Sequence, residues 1–123
     1  LRFTKTHEWG EVKEGVVVVG ITFYAQAHLG DIVAIELPHV GTKFKQGESI
    51  GIVDSVKASS DIYAPVTGEV VAINEELKNN PQWMNQSPYD KGWIAKIKPS
   101  NTTEFEKLMS KEEYETYLKT LGS

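Results

Sequence analysis

Cysteine is absent from the 123 residues. That removes disulfides, thiol nucleophiles and cysteine-rich metal sites together. Any sulfur chemistry has to arrive on an attached group. Long apolar runs are missing as well. None approaches the roughly 20 residues a membrane helix needs, so no membrane contact is expected. Basic residues are in the minority, 13 Lys and Arg against 17 Asp and Glu, for a formal net charge of −4. A nucleic-acid partner is not expected of such a chain, because phosphate binding draws most of its strength from Lys and Arg. The three histidines, His7, His28 and His39, lack close metal-ligand spacing. His7-Glu8 begins like a zinc-protease motif, but Glu11 stands where the second histidine belongs. Gly-rich phosphate loops and nucleophile elbows are also missing. With no linker or low-complexity tract, residues 1–123 read as a single domain. The hydrophobic share of 40% and charged share of 24% suit an ordinary globular chain. The ends are less informative. The opening Leu1-Arg2-Phe3 lacks an initiator methionine, as in a processed or truncated chain, and no apolar signal segment follows. An intracellular protein is the expectation, and a monomer is the default.

What is present is a series of short strands punctuated by glycine and proline. Val16 to Val19 is a continuous apolar run, consistent with a buried strand. Ile32 to Leu37 is a second strand, stopped by Pro38, which cannot donate to a ladder. Ser49 to Val53, Asp61 to Ala64, Gly68 to Ile73 and Trp93 to Ile97 follow. Such spacing predicts a mainly β sandwich or barrel. Helices are short. Thr22 to Leu29 is predicted helical, with Gly30 as a left-handed stop. Asn80-Pro81 reads as a cap followed by proline at the first helical position. Asn101 with Glu104 marks another start, and Ser110 with Glu113 fits a capping box. Tyr114, Tyr117, Leu118 and Leu121 then recur at helical spacing, as one apolar face against the β body. Fraying is expected at Leu121-Gly122-Ser123.

The most informative segment runs from Gly51 to Pro65. Two apolar strand halves flank a small polar stretch with Lys57 near its centre. This predicts a hairpin with the lysine at or beside the turn. On its own, such a lysine is an ordinary solvated loop residue. A Schiff-base role would need burial or a cationic neighbour. Asp54, Ser55, Ser59 and Ser60 supply neither.

The segment resembles the lipoyl-lysine hairpin of lipoyl carrier domains, and Pro65-Val66-Thr67-Gly68-Glu69-Val70 resembles the turn and strand that follow it there. Biotin carriers usually place Met on both sides of their lysine, whereas this chain has Val56 and Ala58. The resemblance extends along nearly the whole chain, to the H protein family of the glycine cleavage system. His7-Glu8-Trp9 is similar to that family's opening motif, and the run from Gly20-Ile21-Thr22 to Leu29-Gly30-Asp31 to its central signature. Glu36-Leu37-Pro38, Asp54-Ser55-Val56-Lys57-Ala58, Asn74-Glu75, Ser87-Pro88-Tyr89 and Gly92-Trp93 follow in family order. A bare lipoyl module would lack the Gly-Ile-Thr segment and the C-terminal helices. Two departures stand out: Asp54 where the family usually has Glu, and Phe23 where Asp or Asn is common.

The resemblance implies a barrel-sandwich hybrid with C-terminal helices. It implies lipoate bound covalently to Lys57, with Asp54, Ser55, Val56 and Ala58 as the hairpin features that a lipoate ligase or a lipoyl or octanoyl transferase recognises. It implies a non-catalytic carrier subunit. Its partners would be a pyridoxal-phosphate glycine decarboxylase, a tetrahydrofolate-dependent aminomethyltransferase and dihydrolipoyl dehydrogenase. The compartment would be the cytoplasm of a bacterium or archaeon, or a mitochondrial matrix. In the family the loaded arm folds into a surface cleft. By position, Glu8, His28, Ile21 and Asp61 are the candidates to line it here. Each has a plainer alternative: an exposed acid, a favourable helix end, simple core, and a cap on the hairpin's second strand.

Overall fold

The computed structural model describes residues 1–121. Nine strands form two sheets that share one core. They are β1 (Arg2–Phe3), β2 (Glu8–Lys13), β3 (Val16–Ile21), β4 (Ile32–Glu36), β5 (Lys43–Phe44), β6 (Ser49–Ser55), β7 (Ser59–Tyr63), β8 (Gly68–Ile73) and β9 (Ala95–Pro99). The larger sheet has the order β1-β2-β3-β9-β8-β5 and the smaller β4-β6-β7. Inward residues of both meet in the main core, among them Val17, Val19, Val53, Ile62, Val70 and Ile97. The mainly β architecture with short helices agrees with the sequence expectation.

The run Val16 to Val19 is apolar throughout because β3 is covered on both sides. Val17 and Val19 enter the main core. Val18 turns the other way, into a second cluster with Phe3, Trp9 and Tyr114. That cluster is closed by α4 (Lys111–Thr120), which begins at the Ser110–Glu113 capping box. Tyr114 is buried and Leu118 packs against the cluster, but Leu121 is 42% exposed and lies past the apolar face. Gly122 and Ser123, where fraying was expected, lie outside the described residues.

Helix α1 (Phe23–Leu29) starts one residue later than expected, because Thr22 is its cap: the Thr22 hydroxyl accepts from the Ala25 N–H. Gly30 ends it at φ 78° and ψ −156°. The positive φ needs glycine, but this is an extended, non-helical conformation rather than the left-handed stop expected. Asn80-Pro81 does not open a helix. It forms a turn, and α2 covers only Trp83–Gln86. Strand β9 starts at Ala95 rather than Trp93, and β7 starts earlier than expected, at Ser59. Near the C-terminus, α3 (Thr102–Glu106) is capped by the Asn101 side chain, as the sequence indicates.

Candidate functional site

Strands β6 and β7 pair from Ser49↔Tyr63 to Asp54↔Ser59, so their turn is Ser55 to Ala58. Ser55 closes it. Its N–H donates to the Ala58 carbonyl at 2.8 Å, and its hydroxyl oxygen accepts from the Ala58 N–H at 3.1 Å. Next to the turn, the Asp54 carboxylate accepts from the Ser59 hydroxyl, across the two strands. Lys57 therefore sits at the tip, exposed, with an exposed Val56 and Ala58 on either side. The Val56 N–H donates to the Asp31 carbonyl at 3.0 Å, which ties the tip to the segment after α1. A Cβ built on Gly30 would stand 3.5 Å from Lys57 Cε. Among the described residues Lys57 makes no ion pair; the sole one is the exposed Lys13–Glu11 contact at 3.2 Å. An exposed primary amine on a narrow, rigidly closed turn suits acylation, since an enclosing active site can take the whole tip.

The remaining candidates lie around α1 and its neighbours. Glu8 is 1% exposed, so it is not a surface acid. Its carboxylate accepts from the hydroxyls of Thr4 (2.6 Å) and Thr6 and from the Tyr63 backbone N–H (3.2 Å). Burial pushes its pKa up, against the opposing pull of those hydrogen bonds. Ile21 is the cross-strand partner of Glu8 and belongs to the main core. Asp61 is exposed on β7 and accepts from the Ser49 hydroxyl at 2.9 Å. It precedes Tyr63 by two residues, on the same face of the strand. His28 is exposed in the last turn of α1, where its Nδ1–H donates to the Tyr24 carbonyl at 3.1 Å. Its ring stacks on Tyr24 at 4.1 Å. The structure thus links Glu8 to Ile21 and to the hairpin strand that carries Asp61. His28 and Lys57 both lie at the C-terminal end of α1.

Thr4, Thr6 and Tyr63 escaped the sequence reading. The alternation Thr4-x-Thr6-x-Glu8 was the available signal, two hydroxyls at strand spacing before an acid. His7 was read against a metal motif and as part of the His7-Glu8-Trp9 resemblance, without a structural role of its own. Its ring packs on Tyr24 at 4.5 Å, and its Nδ1 shares a 2.8 Å hydrogen bond with the Tyr114 hydroxyl. Burial first, then the charge of His28, pull its pKa down. Phe23, the second departure, is 61% exposed at the start of α1, where its N–H donates to the Tyr89 hydroxyl at 3.0 Å.

Glu8 gives a direct pH prediction. Its folded-state pKa lies above the ordinary 4.5, so its stabilising contribution is complete below that value. The contribution is lost as pH rises through the folded-state pKa. Glu8→Gln is therefore expected to gain stability relative to the parent between pH 4.5 and neutrality. Urea denaturation across that range measures it. A stability difference independent of pH would show that Glu8 is not perturbed.

Two facing sheets, the smaller one ending in a tight hairpin with an exposed lysine at its tip, define a protein of the lipoyl-type barrel-sandwich class. Comparisons carry the assignment further. A family model described as glycine cleavage H-protein matches residues 1–121. The chain is 49% identical over 121 residues to the glycine cleavage system H protein of Saccharophagus degradans, covering 98% of this chain and 93% of that protein. It is 52% identical over 118 residues to that of Halothermothrix orenii, covering 96% and 92%. A crystal structure of a glycine cleavage system H protein from Mycobacterium marinum superposes with a TM-score of 0.85 at 33% identity, covering 98% of this chain and 95% of that one. The chain belongs to the glycine cleavage H-protein family, whose members are lipoyl carrier subunits of a multienzyme system. These relatives are bacterial, and no helix among the described residues is long and apolar enough to cross a membrane.

Proposed function

We propose that residues 1–123 act as one carrier domain, bearing lipoate as an amide on Lys57. It receives an aminomethyl group from a glycine decarboxylase, presents it to an aminomethyltransferase and is reoxidised by dihydrolipoyl dehydrogenase. The observation that carries this reading is Lys57 itself, exposed at the tip of a turn that Ser55 closes. When bound, the lipoyl group supplies the redox-active sulfur pair, which a chain without cysteine cannot.

The chain's own residues hold and present that group. Acylation turns the Lys57 amine into a neutral amide that does not titrate. The lysine stem plus an octanoyl-length chain extends about 14 Å from standard bond lengths, enough to enter a partner's active site while the body stays outside. Asp54, Ser55, Val56 and Ala58 give the modifying ligase or transferase a fixed turn to grip. Of the four cleft candidates, His28 and Asp61 are exposed and open to a folded-back arm, while Glu8 and Ile21 are buried. The protein works as a monomer in a bacterial cytoplasm, with no catalytic step of its own.

The test is exchange of labelled bicarbonate into glycine by a purified glycine decarboxylase. The lipoylated protein is expected to stimulate it strongly and the unmodified protein not at all. Lipoylated protein that gives no stimulation would point to a lipoyl carrier serving a different complex.

A further inference from the structure

Two parts of this chain lie far apart in sequence: the Gly20-Ile21-Thr22 segment with α1, and the C-terminal helix α4. In the fold they meet at one atom. The Tyr114 hydroxyl of α4 lies 2.8 Å from Thr22 Oγ1, the capping oxygen of α1, and 2.8 Å from His7 Nδ1. All three groups are anchored elsewhere. The Tyr114 ring stacks on Phe3 at 4.7 Å and 6°, Thr22 is fully buried, and the Thr22 N–H donates to the His7 carbonyl at 3.0 Å. His7 holds a left-handed backbone with φ 71°, uncommon outside glycine, and the next residue is Glu8. At its other end α1 stops at Gly30, beside the Lys57 side chain, and Asp31 takes the Val56 N–H of the hairpin turn.

We propose that Tyr114 is a positioning residue: its hydroxyl fixes the capped end of α1, and through that short helix the body of the protein sets where the Lys57 hairpin stands. The chemistry favours this. Thr22 Oγ1 already accepts from the Ala25 N–H at 3.2 Å, so the cap and the Tyr114 contact share one oxygen. The 7-residue helix has other ties, Asn85 Nδ2 to Gln26 Oε1 and to the Gly30 carbonyl at 2.9 Å each and the Phe23 N–H to the Tyr89 hydroxyl at 3.0 Å, but the Tyr114 hydroxyl is the one that joins its cap to α4. The hairpin, in turn, touches the body next to its tip through Val56 and Asp31. The two parts then act as one strut, running from α4 through Thr22 and α1 to the turn. Its functional meaning rests on Lys57 being the carrier lysine; its mechanical content does not.

Amide hydrogen exchange on unmodified Tyr114→Phe protein separates the two. The substitution keeps the ring and its stack on Phe3 and removes only the hydroxyl. Ala25, Gly30 and Val56 amides are expected to exchange about tenfold faster, while β8 and β9 amides keep their rates. Thr22→Val should reproduce the pattern, and Thr22→Ser should restore the parent rates. Faster exchange confined to α4 would overturn the proposal, since a merely structural hydroxyl would loosen its own helix first. A second readout is modification kinetics. The KM of a lipoate ligase for Tyr114→Phe is expected to rise about fivefold with kcat unchanged, the mark of lost uniform binding. An unchanged KM would also overturn it. Failure of the parent protein to accept lipoate at all would instead sink the carrier reading and leave the exchange result to stand by itself.

Discussion

Lys57→Arg is expected to lose lipoylation completely while melting at the temperature of the parent. Arginine keeps the charge and much of the length, but its guanidinium stays protonated and is not acylated under conditions where a lysine amine reacts. The fold has no stake in the change. Lys57 is exposed, and the turn around it is closed by Ser55 and Ala58, with Val56 tied to Asp31. Exposed substitutions away from such contacts usually fall within about 0.5 kcal/mol of the parent. Intact-mass spectrometry after co-expression with a lipoate ligase gives the first result and a thermal melt the second. A lipoyl adduct persisting on Lys57→Arg would remove Lys57 as the attachment site. An unmodified variant that had also lost several degrees of melting temperature would leave the chemical argument without force, because misfolding alone would then explain it.

The largest loss of stability is expected at Trp9. The indole is 1% exposed, its Nε1–H donates to the Pro88 carbonyl at 2.9 Å, and it packs with Phe3, Val18 and Tyr114. Truncation of a buried Trp to Ala costs about 3–5 kcal/mol. That is a large share of the roughly 5–15 kcal/mol that holds a domain together. Gly20 provides the complementary experiment. It faces Trp9 across the β2–β3 pair, and a Cβ there would lie 2.6 Å from the indole Nε1 and Cε2. Gly20→Ala should cost about 1–3 kcal/mol through overpacking. In the double variant Trp9→Ala with Gly20→Ala, the second substitution should cost far less, because the ring it strikes is gone. Urea denaturation of the four proteins completes the cycle. Strictly additive losses would show that the contact is not what makes position 20 a glycine.

The hairpin and its lysine were legible because the signal there is local. Apolar strand halves, a small polar turn and a single amine sit within fifteen consecutive residues. The caps at Ser110 and Asn101 were legible for the same reason. What escaped depends on distant partners. β1 and β5 are two residues each and exist only because Trp9 and Gly10, or Gly68 and Glu69, lie opposite them. β2 begins with Glu8, which reads as a surface acid until Thr4, Thr6 and Tyr63 are seen around it. The Asn80-Pro81 signal failed because a favourable start needs a following apolar face, and α2 runs for only 4 residues. The shared hydrogen bonds of His7, Thr22 and Tyr114 join residues 92 and 107 positions apart, a span that no periodicity covers.

Strand β3 offers Val17 and Val19 to one core and Val18 to the other. A wall shared in this way makes the two cores cooperative. Trimming the chain after Pro99 would not release a minimal module. It would strip α4 from Val18, Trp9 and Phe3 and leave a sticky apolar face where the parent has a helix. The C-terminal segment therefore covers apolar surface that the β body leaves open, although it lies far from β1 and β2 in sequence.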